Sequence, residues 1–155
     1  MAEKKYLPPK NIVNPFIKDI DEFHEMYQAS IKDPENFFGS QAKENLAWIK
    51  PFSNVHNNKF ADSKWFEGGE INIAYNCIDR HLEKNAKKTA LIWEGDDPNE
   101  SSDISYAELY KNVCKFGNIL KTLGAKKGSR ICIYMPMIPE AAYAMLACAR
   151  IGAIH

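Results

Sequence analysis

Neither sign of charge is in excess in this chain of 155 residues: lysine plus arginine number 20, aspartate plus glutamate number 20, and only three of the cations are arginine. With no net field, nothing draws nucleic acid or an acidic membrane surface to the chain as a whole, and recognition must be local. Long apolar runs are also missing. No stretch reaches the roughly 20 apolar residues that cross a bilayer, and MAEKKYLPPKNIVNP at the N-terminus has an early acidic residue and no apolar centre of a secretory signal. The four cysteines, Cys77, Cys114, Cys132 and Cys148, form no C-x-x-C and no metal-finger spacing. Each lies in an apolar periodic segment, which predicts buried, reduced thiols and a cytoplasmic protein.

Catalytic signatures are as scarce. There is no G-x-S-x-G elbow, no H-E-x-x-H, and no histidine paired with a nucleophile in a recognisable pattern. Ala125-Lys126-Lys127-Gly128-Ser129 has the composition of a phosphate loop in the wrong order. A Walker loop leads from a strand into a helix with lysine after its last glycine, whereas this loop leads from a helix into a strand and its lysines suit a helix C-terminus. Cys77 and His81 stand four apart without the further ligands zinc requires. Asp96, Asp97 and Glu100 lie at a hairpin tip without a calcium-loop pattern, so they read as solvated carboxylates. The residues alone show no complete catalytic constellation.

What is present is a succession of well-signalled elements. Pro8, Pro9 and Pro15 predict an extended arm over residues 1–18. Asp19 with Glu22 opens an amphipathic helix through Ile20, Phe23, Tyr27 and Ile31. Asp33-Pro34 opens a second, with Phe37, Phe38, Ala42 and Leu46 on its apolar side. From Leu46 to Gly69 the aromatics Trp48, Phe52, Phe60, Trp65 and Phe66 follow no period, so an irregular segment anchored by aromatics is expected. Interleaved aromatics and lysines also suit a single-stranded nucleic-acid platform, but the neutral balance and the few arginines argue against it. Asn72 caps a helix expected over 73–85 with Ala74, Cys77, Ile78, His81 and Leu82 on one face. Thr89–Glu94 and a short strand ending near Ile104 frame a β-hairpin. Ser105 and Glu108 form a capping box for a helix whose face runs Tyr106, Leu109, Tyr110, Val113, Phe116, Leu120 and Leu123 to a terminal Gly124.

The last stretch, Arg130 to His155, organises the rest. Arg130–Met135 reads as a buried strand, and Pro139 with Glu140 opens a helix of about 20 Å. Ala141–Ala149 contains no charge, so this helix has no wet face and belongs inside a larger body. No capping residue is read beyond Arg150.

YMPMIPEAAYAMLACARIGAIH, Tyr134 to His155, closely resembles the AMP-forming acid–CoA ligases of the acyl-adenylate-forming superfamily, the acetyl-coenzyme A synthetases in particular. The resemblance extends through Phe23–Phe52, Trp65–Asp97 and Ile104–Met137, irregular aromatic stretch included. It implies an α/β fold: a helical N-terminal extension over 19–84, then from residue 85 to 155 the first β/α units of the large adenylate-forming domain, with a mostly parallel sheet and a β-hairpin. It implies the two-step synthesis of acetyl-CoA from acetate, ATP and coenzyme A through acetyl-adenylate, with Mg²⁺ as cofactor and no nucleic-acid or membrane partner. The family's phosphate loop, adenylate motif, hinge aspartate, C-terminal lysine and coenzyme A contacts have no counterpart in these residues. No catalytic residue, no cofactor-binding residue and no metal ligand is therefore carried over. The resemblance also implies that the pattern runs on past His155 into the next parallel strand, that the missing remainder of the chain is its partner, and that these residues alone are inactive. A ligase for propionate or another short-chain acid fits the same stretch, and a non-catalytic α/β interaction module is the alternative of another class.

Overall fold

The computed structural model describes residues 12–13 and 15–155, so most of the predicted arm lies outside the described residues; its described part, 12–13 and 15–18, forms neither helix nor strand. The chain divides into two compact units, residues 1–44 and 45–155.

In the first unit, α1 (Ile20–Lys32) and α2 (Pro34–Asn45, ending at the unit boundary) start where their caps predict. Glu22 N–H donates to Asp19 Oδ1 at 2.9 Å, and Asn36 N–H donates to Asp33 Oδ1 at 3.1 Å. Each bond satisfies one of the orphan donors of a first helical turn. The Glu22 carboxylate accepts from Lys18 N–H rather than from the cap residue, so the reciprocal arm of a capping box lands one residue early. Phe23 and Tyr27 stack at 6.3 Å, and the Ile20, Phe23, Tyr27, Ile31 face is exposed along its whole length.

The second unit begins with a correction. The segment read as irregular contains a small antiparallel hairpin, β1 (Asn54–His56) with β2 (Trp65–Glu67), continued by a bridge between Lys50 and Glu70. Strands of three residues are too short to show alternation, so periodicity missed them. The aromatic anchoring is as expected: Trp48, Phe52 and Phe66 meet with ring centroids 4.9–5.7 Å apart. Trp48 lies so close over Gly69 that a Cβ there would sit 2.5 Å from its ring.

The helix predicted over 73–85 is three pieces: α3 (Ile73–Cys77), a 3₁₀ turn at Asp79–His81, and α4 (Leu82–Asn85). The break falls at Ile78, which leaves helical geometry with φ −124° and ψ −67° while its side chain is fully buried. Asn76 and Ile78 turn inward as a result, and Cys77 is exposed. Cys132 is exposed too, and Cys114 half-buried; only Cys148 is the buried thiol expected of all four. Cys132 alternates with the half-buried Ile131 and Ile133 and so faces the other way.

β3 (Thr89–Glu94) and β4 (Ser101–Ser105) form the predicted hairpin, antiparallel, with an irregularity between Thr89 and Leu91. The capping box then opens α5 (Tyr106–Thr122), with both reciprocal bonds between Ser105 and Glu108 made. Its buried line is Leu109, Val113, Gly117 and Leu120, and Leu123 is exposed. Gly124 closes it at φ 89°, with Ala125 N–H donating to Leu120 O at 2.9 Å.

α6 (Pro139–Ile151) packs on α5, burying Tyr143, Ala144, Ala147 and Cys148. Tyr143, Ala147 and Cys148 join Ile78, Ile104, Leu109, Val113, Leu120 and Ala153 in the core. Contrary to the sequence reading, α6 has a terminal cap. Gly152 takes the left-handed conformation at φ 74°, and Ala153 N–H donates to Cys148 O at 2.9 Å.

The mostly parallel sheet is not present among the described residues. Both sheets are antiparallel and two-stranded, and the parallel pairing is one bridge, Arg130 to Ile154. There Ile131 N–H donates to Ile154 O and Ile154 N–H to Ser129 O, each at 2.8 Å. A strand needs neighbours to complete its ladder, and here 153–155 supplies a single rung. Among the described residues no helix is long and apolar enough to cross a membrane.

Candidate functional site

Three places in the second unit are candidates for a site. The first is built on α3, the 3₁₀ turn and the end of α6. Because the chain breaks at Ile78, Asp79 meets Arg150 head-on, with guanidinium–carboxylate bonds of 3.0 and 2.5 Å. The planar fork of arginine matches a carboxylate in this way, and both side chains are about four-fifths buried. Arg150 lies over the Tyr110 ring, 5.2 Å from its centroid, and its Nε is buried without a hydrogen-bond partner. The Asp79 bond holds the guanidinium more firmly protonated than usual, and the Cys114 side chain, hydrogen-bonded to Tyr110, pushes that phenol above its ordinary value. Asn72 Nδ2 donates to the carbonyls of Ala149 and Arg150 in the last turn of α6.

Asn76 extends the network. It accepts from Ala47 N–H at 2.8 Å, donates to Ala47 O at 3.0 Å, and accepts from Arg80, which also donates to Asn45 O. A cleft of about 410 Å³ opens beside these groups, lined by Ala47, Trp48, Ile49, Asn72, Tyr75, Asp79 and Arg150. Its one cation and one anion neutralise each other, so it has neither a free charge for a phosphate nor a base for proton transfer. It is a clamp between the residue 45–80 segment and α6.

The second place is the loop from residue 135 to α6. In α/β sheets ligands gather beyond the carboxyl ends of parallel strands, and Met135–Pro139 occupies that position relative to Arg130. The Trp93 indole N–H donates to Met137 O at 2.7 Å, tying the loop to β3. A cleft of about 290 Å³ lies between Leu91, Trp93, Ile104, Met137, Pro139 and Ala142. Its lining is apolar apart from Glu94, which suits packing rather than catalysis.

The third lies on the β1–β2 hairpin. His56 Nε2 is 2.7 Å from Ser63 Oγ, and His56 Nδ1 is 3.0 Å from Asn58 Oδ1. The imidazole stacks on Trp65 with centroids 4.2 Å apart and an interplanar angle of 23°. No sequence pattern marks this trio, because its members meet only when the hairpin closes. The Cys77 and His81 pair has no such company: His81 packs against Tyr106, and among the described residues no three His, Cys, Asp or Glu side chains gather for a metal.

The chain matches two family models end to end, the acetyl-coenzyme A synthetase N-terminus over residues 23–77 and the AMP-binding enzyme over residues 78–155. The clamp straddles that boundary, with Asn72 and Asn76 on one side and Asp79 and Arg150 on the other. An acetyl-coenzyme A synthetase from Gamma-proteobacterium EBAC31A08 is 58% identical over 152 residues, covering 98% of this chain and 24% of that protein. One from Escherichia coli (strain K12) is 52% identical over 155 residues, 97% of this chain and 24% of that protein. The chain thus spans about a quarter of the length of the curated relatives it matches. Among solved structures, acetoacetyl-CoA synthetase from Streptomyces lividans superposes with a TM-score of 0.75 at 25% identity, over 90% of this chain and 21% of that one. On the match that covers half of its residues, and on the acetyl-coenzyme A synthetase N-terminus that runs directly into it, this chain belongs to the AMP-binding enzyme family.

Proposed function

We propose that these residues are the N-terminal part of an acetate–CoA ligase that makes acetyl-CoA from acetate, ATP and coenzyme A through acetyl-adenylate, in the cytoplasm. The observation that carries this reading is the unbroken succession of the two family matches across residues 23–155. Residues 19–84 form the extension and 85–155 the beginning of the adenylate-forming domain.

A carboxylate is a weak nucleophile and a triphosphate repels it. The demand on such an enzyme is therefore to hold both in line and to stabilise the charge that develops at phosphorus. Mg²⁺ would supply part of that neutralisation; none of the described residues offers a ligand cluster for it. The role left to this chain is support. The Asp79–Arg150 clamp seats α6 against the residue 72–80 segment, and Gly152 turns the chain so that Ile154 pairs in parallel with Arg130. Catalytic groups belong to the remainder of the chain.

The test is acetate-dependent ATP–pyrophosphate exchange on the full-length gene product, with residues 1–155 alone as the comparison. Exchange by the full-length protein and none by the 155 residues is the expected pair of results; exchange by the 155 residues alone would falsify this assignment of roles. A solved structure named for another acid, the acetoacetyl-CoA synthetase, shares this fold over 90% of the chain. Propionate or another short-chain acid remains the second reading, separated by acid specificity in the same assay.

A further inference from the structure

The Ser63, His56, Asn58 arrangement has the parts of a nucleophile and its base. An amide oxygen accepts and does not donate, so in the neutral imidazole the 3.0 Å contact to Asn58 Oδ1 is made by the tautomer that carries its proton on Nδ1. Nε2 then presents its lone pair to the Ser63 hydroxyl, 2.7 Å away. Histidine abstracting a serine proton while a third group holds its tautomer is the division of labour shared by serine hydrolases on unrelated folds. Two further features hold the geometry. Trp65 lies flat against the ring at 4.2 Å and favours the imidazolium that forms when the proton moves. Asn58 sits at φ 54°, a conformation that costs a non-glycine residue energy and turns its side chain back toward His56. Asn57 knits the loop between them: its Oδ1 accepts from the backbone N–H groups of Lys59 and Lys64, and its Nδ2 donates to Asp62 O.

We propose that Ser63 is an acyl-accepting nucleophile, with His56 as its base and Asn58 as the positioning residue, reacting with activated esters of small carboxylic acids. The constellation is open to solvent, so it demands a small acyl group and a good leaving group. In the step, Ser63 Oγ bonds to the ester carbonyl carbon and the carbon–oxygen bond to the leaving group breaks. The hydroxyl proton passes to His56 Nε2 and then to solvent, and the leaving group departs as an anion. No oxidant, nucleotide or metal is needed. The site is independent of the ligase reading, and the two fail separately.

The full-length protein is mixed with p-nitrophenyl acetate in the absence of ATP and coenzyme A, and the acetylated residue is located by peptide mass spectrometry. One acetyl group on Ser63 is expected in the wild type and none at that position in Ser63→Ala. His56→Gln should slow the labelling of Ser63 by about 100-fold, the lower range of a general base's contribution. Asn58→Ala should slow it as well, and Asn58→Asp should restore it, because a carboxylate accepts the same Nδ1 proton. A purely structural turn would show no such rescue. Matched thermal melting curves establish that the variants are folded, and Ser63 is exposed, so its truncation leaves packing intact. Acetylation confined to lysines such as Lys59 and Lys64, or an unchanged rate at Ser63 in His56→Gln, overturns the proposal.

Discussion

Arg150 shows how far one side chain can be committed. Its guanidinium forks onto Asp79, covers Tyr110, and leaves Nε buried and unpaired, so the charge is tolerated only while Asp79 is opposite. Breaking a largely buried pair from one side strands the other charge, which costs more than the pair contributes. Asp79→Ala is therefore expected to lower the unfolding free energy by about 3 kcal/mol, measured by urea titration. Asp79→Ala combined with Arg150→Met should cost less than the two single changes summed, since no stranded charge remains; simple additivity would mean the two residues are not coupled. Sequence inspection finds Arg150 at the end of a charge-free helix and Asp79 inside a predicted one, with nothing to join them. They are 71 positions apart, and a pairing at that range leaves no periodic trace. The Ser63–His56 contact was invisible for the same reason at a shorter range, across a hairpin whose strands are three residues long.

At the scale of elements, local signals translated well wherever the stabilising contact is itself local. Asp19, Asp33, Asn72 and Ser105 all cap the helices they precede, because a side-chain oxygen three residues from an unpaired N–H needs no tertiary help. Ser105→Ala should cost about 1 kcal/mol, seen as a lower thermal midpoint. Bonds from Ser105 backbone and hydroxyl hold the Glu108 carboxyl below its ordinary value of 4.5. A carboxyl depressed in the folded state stabilises above its unfolded value and loses that contribution as pH falls through the folded one. Stability of the wild type should thus decline faster below pH 4.5 than that of Glu108→Gln, and parallel curves would show that the box is not ionic. Elements failed to translate where burial overrode period. Ile78 leaves the helix to reach the core, and three pieces replace the single helix expected over 73–85.

For the whole molecule, one group of exposed apolar side chains lies on the segment from residue 134 to residue 154 of the second unit. Tyr134 and Met137 are almost fully exposed, and Met135, Met145 and Ile154 are open as well. Residues 1–155 by themselves should bind an apolar fluorescent dye, and the full-length protein should bind far less per chain. Equal binding would show that this face is not covered by the remainder. The sequence by itself determined the α/β character, the helix starts, the β3–β4 hairpin, and, through its resemblance over nearly the whole chain, the family. Each of these rests on contacts within a few residues or on the order of residues along the chain. Only the tertiary structure decided which thiols are buried, where the 73–85 helix breaks, that Gly152 caps α6, that Asp79 answers Arg150, and that His56 meets Ser63. Those outcomes depend on which distant surfaces compete for the same core, and a linear pattern carries no record of that competition.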